Sequence, residues 1–525
     1  MKKLFQNAAS DFPASVVVFL VALPLCLGIA LGSNAPNLFA GIIGGIVGGI
    51  VIGSLSGSQL SVSGPAAGLT AIVATAIGKL PAYEAFLLAV VIAGIIQVAF
   101  GFLRGGFLGD YVPNSVIKGM LAAIGLILIL KQFPHLVGFE KDFSGDEAFF
   151  QIDTNNTFSE ILYAVNYITP TAILIGIVGL GIQIFWEKAL VPKWPVFKLI
   201  PAPLVVVLAG IFIAMAFSKS GVFALSQEQL VNIPVASSFK GFTSFFTSPD
   251  WSFITNADVW ITGVTLALVA SLESLLSIEA SDKLDPYKRV TNNNRELKAQ
   301  GVGNIVSGMI GGLPLTSVIV RSSANINAGA KSKLSAILHG ILLLLCVAFI
   351  PGLLNTIPYA ALASILIYTG YKLAKVSLFK EFYSKGGDQF VPFIVTILAI
   401  LFTDLLKGII VGLVVGLYFV MRSNYQSAVF VVNDNNKFLF RLRKDVSFLN
   451  KPGVKRKLEA VPAGAYVLID ITRADFIDKD IIDTINEFIA HAHLKNIRVE
   501  IKKSSYKALH ELVQNTAFNL SDTAH

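Results

Sequence analysis

Two ionisable side chains stand in sequence apolar enough to lie in a membrane. Glu273 falls in Ala270-Ser-Leu-Glu-Ser-Leu-Leu-Ser277, and Arg321 falls in Val318-Ile-Val-Arg-Ser-Ser323. A charge at bilayer depth is costly unless it is paired, protonated or facing a wet cavity, so each is a candidate ion site. The Glu273 carboxylate can hold Na⁺ or a proton, with Ser277 one helical turn along the same face. Its plainer reading is a structural hydrogen bond to a neighbouring helix. Arg321 can draw an anion, neutralise Glu273, or snorkel to the surface near Lys331 and Lys333.

Two interruptions could position such groups. One is Ser61-Val-Ser-Gly-Pro-Ala-Ala-Gly-Leu-Thr70, and the other is Gly311-Gly-Leu-Pro-Leu-Thr-Ser317. Pro is tolerated in the first turn of a helix, and Gly lets the backbone open ahead of it. Helices starting near Pro65 or Ala66, and again after Pro314, would point free N–H groups and a positive dipole end into the middle of the membrane. Those donors must face protein, water or a ligand. An anion satisfies both the donors and the dipole. Two ordinary helix starts after tight turns are the alternative. A pair of breaks about half a membrane domain apart favours a transporter's binding site.

The elements that carry these groups follow from composition. Of 525 residues, 54% are hydrophobic and 14% charged, whereas soluble domains average about 25% charged residues. Hydropathy places spans near 14–33, 38–55, 84–103, 114–133, 168–185, 199–217, 258–278, 334–350, 358–371, 388–403 and 406–421, with broken ones near 65–79, 298–312 and 315–328. This predicts a multi-pass α-helical membrane protein of about fourteen segments. The first span follows Met1-Lys-Lys but has no small-residue cleavage site, so it reads as a membrane helix.

The net charge of +8 fits the positive-inside rule rather than nucleic-acid binding, because it gathers in particular loops. With the N-terminus inside, loop 139–158 falls outside and is acidic (Glu140, Asp142, Asp146, Glu147, Asp153). The inside loops carry Lys188, Lys193 and Lys198, then Lys283, Lys288, Arg289, Arg295 and Lys298, then Lys372, Lys375, Lys380 and Lys385. Both termini are therefore expected in the cytoplasm of a bacterial-type inner membrane. Residues 1–422 form the expected membrane domain.

From about 425 to 525 the chain is charged and strand-like, and it contains no span. Ala428-Val-Phe-Val-Val432 and Phe438-Leu-Phe-Arg-Leu442 flank Asn433-Asp-Asn-Asn436 as a hairpin. Tyr466 to Ile471 and Arg498 to Lys502 read as strands. Lys479 to His493 is an amphipathic helix, and a last helix is expected near 504–514. A small cytoplasmic α/β domain follows.

Other groups carry less. Lys118 and Lys131 read as interface anchors, and Asp404 as a helix cap. Cys26 and Cys346 read as small buried side chains. His491 and His493 point to different faces of a helix. No Walker motif, nucleophile elbow or metal-ligand cluster is present, so an enzyme or ATP-driven pump has little support, and no cofactor is expected.

The order Ser63-Gly-Pro, Ala270-Ser-Leu-Glu-Ser, Glu296-Leu…Gln300-Gly…Asn304 and Gly311-Gly-Leu-Pro…Arg321 resembles SulP-type anion transporters over essentially the whole chain. The C-terminal region resembles the STAS domain such proteins carry. The resemblance implies two inverted repeats of seven segments, with a core domain moving against a gate domain. It implies substrate contacts at Pro65, Ala66, Ala67, Thr70, Ser317 and Val318, with Arg321 behind, and a coupling cation or proton at Glu273 with Ser277. Two departures stand out. Val318, Ile319 and Val320 occupy a stretch where Na⁺-dependent relatives bring small residues and a hydroxyl. Asp478-Lys-Asp480 lacks the hydroxyl of a phosphorylation switch.

The expected function is secondary transport of a small anion, of the sulfate or bicarbonate class or a dicarboxylate, by an elevator-like displacement coupled to H⁺ or Na⁺ through Glu273. The partners are the anion, the bilayer and a second copy of the chain, joined through the membrane or STAS domains, with no nucleic acid. The rivals are an uncoupled exchanger or channel on the same fold, and a proton-coupled nucleobase carrier.

Overall fold

Long apolar runs without Gly–Pro breaks become single helices, and the two broken runs do not. The structure, a computed structural model, describes residues 5–107, 112–140, 149, 156–194, 197, 200–218, 223–235, 243–427, 429–504 and 512–513. Contacts divide the chain into two compact units, Met1–Gly416 and Leu417–His525.

In the first unit the helices are α1 (Ala8–Gly32), α2 (Phe39–Leu55, with a π-helical turn at Gly48–Ile52), α3 (Thr70–Lys79), α4 (Tyr83–Phe102) and α5 (Asn114–Val137). They continue with α6 (Thr157–Asn166), α7 (Pro170–Phe185), α8 (Ala202–Phe217), α9 (Ala257–Leu284), α10 (Asn293–Met309), α11 (Ile319–Asn327) and α12 (Leu334–Phe349). The last are α13 (Tyr359–Leu373), α14 (Val376–Ser384), α15 (Gly387–Phe402) and α16 (Leu405–Ser427), which continues past Gly416. Among the described residues six helical stretches are long and apolar enough to cross a membrane, counting Pro170–Lys193 and Tyr359–Ser384 each as one, and further apolar helices run 10–17 residues. The first helix begins at Ala8, earlier than hydropathy alone placed it, because Ser10 and Asp11 continue the turn. Asp11 is wholly buried and accepts hydrogen bonds from the backbone N–H groups of Lys331 (2.7 Å) and Ser332 (3.1 Å) and from the Ser332 hydroxyl. One expectation is corrected here. Lys131 is no interface anchor: it is buried and lies 3.9 Å from Glu160 of α6.

The breaks also differ from the expected helix starts at Pro65 and Pro314. Residues Ser63–Pro65 (β1) and Leu315–Ser317 (β2) are extended and pair antiparallel, Ser63 opposite Ser317 and Pro65 opposite Leu315. A residue before proline is pushed out of the helical region, so Gly64-Pro65 stays extended. A short 3₁₀ turn at Ala67–Leu69 then leads into α3, while α11 begins directly after Val318. Because the strands are antiparallel, the two helices leave the ladder from opposite ends.

The second unit holds a four-stranded sheet in the order β3 (Val429–Asp434), β4 (Lys437–Val446), β5 (Tyr466–Ile477) and β6 (Arg498–Lys502). The β3–β4 hairpin is antiparallel, and the β4–β5 and β5–β6 pairs are parallel. Asn435 and Asn436 both take positive φ, 45° and 69°, as a two-residue hairpin turn requires. Helices α17 (Lys451–Glu459) and α18 (Lys479–His491) supply the crossovers. Ile481, Ile482, Ile485 and Ile489 of α18 are buried in the core against Val467, Ile469 and Ile471 of β5. Most of the expected helix near 504–514 lies outside the described residues.

Candidate functional site

The β1–β2 ladder is buried on every residue and is held by side chains as well as by its own backbone. Helix α10 carries Glu296, Gln300, Asn304 and Ser307 at helical spacing, all buried. Asn304 grips β2 from both sides of one residue: its Oδ1 accepts from Leu315 N at 2.6 Å, and its Nδ2 donates to Leu315 O at 3.0 Å and to Gln97 Oε1 at 2.7 Å. Gln300 Nε2 donates to Ser63 Oγ at 2.7 Å and to Glu296 Oε1 at 2.9 Å. Glu296 Oε2 in turn accepts from Ser56 Oγ at 2.5 Å. Backbone polar groups in lipid must find partners within the protein; Asn304 supplies them to Leu315 of β2, and Gln300 reaches β1 through the Ser63 hydroxyl. The residues of this polar stripe were visible in sequence as a motif, but not as the anchor of the site.

The expected substrate residues come to this ladder. Pro65 ends β1, and Ala66 continues it in extended conformation. Ala67 and Val318 are half-buried, and Thr70 opens α3 with its buried hydroxyl unbonded to protein. Ser317 closes β2; its N–H donates to Ser274 Oγ at 3.2 Å, and its hydroxyl shares a 2.6 Å hydrogen bond with Ser61. The two helix starts thus flank one short ladder.

Arg321 lies inside this arrangement with no exposed surface, so it does not snorkel. Nor does it pair with Glu273: Nη2 donates to Pro65 O and to Cys26 Sγ, each at 3.3 Å. The guanidinium fills the space over Gly64, where a Cβ would stand 1.9 Å from Nη1. Only glycine leaves that room.

Glu273 is half-buried on α9 and faces Gly68 in the 3₁₀ turn; a Cβ there would stand 3.0 Å from each carboxylate oxygen. Glu273 and Ser277 line a small cavity with Gly68, Met120, Leu276 and Leu405, of about 10 Å³. That is room for about one water-sized sphere. A much larger cavity of about 940 Å³, bordered by Val17, Trp186 and Tyr368, lies apart from it, and no residue of the ladder lines it. The carboxylate thus sits beside the start of α3, and the guanidinium behind the two strands.

A helical membrane bundle with two broken elements crossed inside it, followed by a small α/β unit, defines a membrane transporter rather than an enzyme. The chain belongs to the sulfate permease family, whose family model matches residues 9–396. It is 26% identical over 423 residues to the putative sulfate transporter YvdB of Bacillus subtilis, covering 79% of this chain and 74% of that one. It is 26% identical over 437 residues to the bicarbonate transporter BicA of Picosynechococcus sp., covering 81% and 72%. It is 24% identical over 510 residues to the sodium-independent sulfate anion transporter of Bos taurus, covering 92% and 81%. Among solved structures, it superposes on the transmembrane domain of a cyanobacterial bicarbonate transporter BicA with TM-score 0.54 and 23% identity, over 78% of this chain and 98% of that one. Murine Slc26a9 in its inward-facing state matches with TM-score 0.66 and 15% identity over 94% and 85%. The C-terminal four-stranded α/β unit fits a STAS domain.

Proposed function

We propose that the chain is a secondary transporter of a small oxyanion, of the sulfate or bicarbonate class or a small dicarboxylate, working by an elevator-like displacement of the segments that hold the β1–β2 ladder. The anion is held at the starts of α3 and α11, by Pro65, Ala66, Ala67, Thr70, Ser317 and Val318. The observation that carries this reading is the ladder itself. It sets two helix starts at opposite ends of one buried crossing, with the cation of Arg321 enclosed behind it. Helix N–H groups and a fixed cation attract an anion in low dielectric.

Glu273 is the coupling group in this reading, with Ser277, because it alone among the proposed residues brings negative charge to the mouth of α3. Val318, Ile319 and Val320 offer no hydroxyl to a cation, which favours a proton over Na⁺ there. The termini are cytoplasmic in a bacterial-type inner membrane, the chain acts as a homodimer, and the STAS unit contributes to dimerisation or regulation. A putative sulfate transporter and a bicarbonate transporter are among the relatives the chain resembles.

Purified full-length protein in liposomes, screened with labelled sulfate, bicarbonate and succinate under imposed Na⁺ and H⁺ gradients, tests substrate and coupling together. Glu273→Gln should abolish gradient-driven accumulation while leaving exchange down the anion gradient. Accumulation that survives intact removes Glu273 from the coupling role, and uptake indifferent to both gradients favours an uncoupled exchanger or channel.

A further inference from the structure

The guanidinium of Arg321 is gripped by two groups that carry no charge. One nitrogen, Nη2, serves both: it donates to the carbonyl of Pro65 at the end of β1 and to the sulfur of Cys26 on α1, each at 3.3 Å. Nε and Nη1 are buried without an acceptor in the protein. Among the described residues no carboxylate is within ion-pair distance. Buried donors ordinarily find acceptors, so a cation left with two unpartnered nitrogens and no acid is one whose charge stays available to an anion.

Cys26 is placed for this contact by a third element. It has no exposed surface, and α2 packs directly behind it. A Cβ at Gly41 would stand 1.9 Å from the Cys26 carbonyl oxygen, and a Cβ at Gly45 would stand 2.8 Å from its sulfur. The sulfur is therefore packed between Gly45 of α2 and the guanidinium from α11. Position 26 was legible in sequence only as a small buried side chain.

The chemistry at position 26 decides what charge the site keeps. An aspartate there would satisfy Arg321 and cancel the charge that an anion at the ladder feels. An alanine would cancel nothing, but it would leave Nη2 with the Pro65 carbonyl alone. A thiol sulfur is a weak, neutral acceptor. It holds the guanidinium without neutralising it.

We propose that Cys26 is a positioning residue for anion binding: its sulfur, together with the Pro65 carbonyl, fixes the Arg321 guanidinium against β1 while leaving its positive charge uncancelled. Cys26 acts through Arg321 and not on the anion itself. The inference rests on the anion-site reading above, and it adds a residue of α1 to a site otherwise drawn from the two breaks and α9.

The test compares serine with alanine at position 26 in the full-length protein, because the two are close in size and only serine offers an acceptor. With labelled sulfate, or bicarbonate or succinate if the wild type carries that instead, Cys26→Ser should keep KM within about threefold. Cys26→Ala should raise KM by at least about fivefold with Vmax at saturation little changed, as expected when a binding group is displaced by a small distance. In an Arg321→Gln background the two variants should have the same KM. Equal KM values for Ser and Ala with Arg321 present, or the same difference between them without it, overturn the proposal. Should Arg321→Gln not transport, the comparison with Arg321 present decides alone. Should Cys26→Ala fail to fold, Cys26→Thr and Cys26→Val form a second matched pair, and equal KM in those two overturns the proposal. Should the wild type carry none of the three anions, the functional reading fails first. The melting temperature then decides the contact: Cys26→Ser should melt above Cys26→Ala with Arg321 present and not in Arg321→Gln, and an equal difference in both overturns it.

Discussion

Gly68 and Glu273 meet side to side, so closely that a Cβ on Gly68 would stand 3.0 Å from both carboxylate oxygens. The contact joins the turn that opens α3 to the acid on α9. A small side chain at 68 can be accommodated by a shift of a few tenths of an ångström, whereas a branched one cannot. We expect Gly68→Ala to retain transport within about threefold and Gly68→Val to lose at least about tenfold, since small misplacements of a functional group carry such costs. Initial uptake rates at matched protein density check this; a Val variant as active as wild type would detach the turn from the function of Glu273.

Gly64 tests the other side of the ladder. The clash of a Cβ with Arg321 Nη1, at 1.9 Å, involves a guanidinium that is itself enclosed and cannot swing into solvent. Gly64→Ala should therefore destabilise the protein by about 2–3 kcal/mol, the upper range for overpacking a filled interior. Thermal unfolding followed by size-exclusion fluorescence measures it. Recovery of stability in Gly64→Ala combined with Arg321→Ala would assign the cost to this contact.

These two glycines show how far the residues could be read without coordinates. Pro65 and Pro314 mark their breaks openly, because proline and glycine change local backbone preference wherever they stand. The extended pairing of Ser63–Pro65 with Leu315–Ser317 does not announce itself: three residues are too few for an alternating pattern, and their partner is some 250 positions away. Arg321 allowed three readings, since its neighbours in sequence say nothing about which of Pro65, Glu273 or the surface it reaches. In the C-terminal unit the Asn433-Asp-Asn-Asn436 turn and the isoleucine stripe of α18 were plain from local chemistry. Helix α17 was not. Its sequence Lys-Pro-Gly-Val-Lys-Arg-Lys-Leu-Glu buries only Val454 and Leu458, so tertiary packing rather than periodicity makes it a helix.

Asn304 carries a prediction of the opposite kind, loss rather than excess. It makes three hydrogen bonds of 2.6–3.0 Å, two of them to the backbone of Leu315. Asn304→Leu would leave that N–H and C=O buried without partners, at about 1–3 kcal/mol each. We expect a drop in melting temperature larger than for Gln300→Leu, which frees one hydroxyl and one oxygen of a carboxylate whose other oxygen keeps Ser56 and Gly57. Asn304→Asp should not rescue it, because a carboxylate facing Leu315 O cannot donate. A stable, active Asn304→Leu protein would mean that the ladder is held by its own backbone pairing.

The C-terminal unit gives a pH prediction whose sign follows from one acid. Asp470 on β5 is buried, which by itself raises a carboxylate's pKa, but the donors around it outweigh that and hold it below the ordinary value. They are the Thr472 hydroxyl (2.6 Å) and N–H (3.1 Å), and Arg441 Nε at 3.0 Å. A group whose pKa is lower folded than unfolded stabilises the fold above its unfolded pKa, about 3.9 for Asp, and loses that contribution as pH falls through the folded value. The ionised Asp470 should therefore stabilise the fold at pH 7, and that contribution should begin to be lost as pH falls below about 4. Asp470→Asn removes the titration. Melting of the two full-length proteins followed from pH 7 to pH 3 should show the wild type ahead at neutral pH and the gap closing in the acid range. A gap that stays constant would mean that the loss in the variant comes from packing and not from the charge.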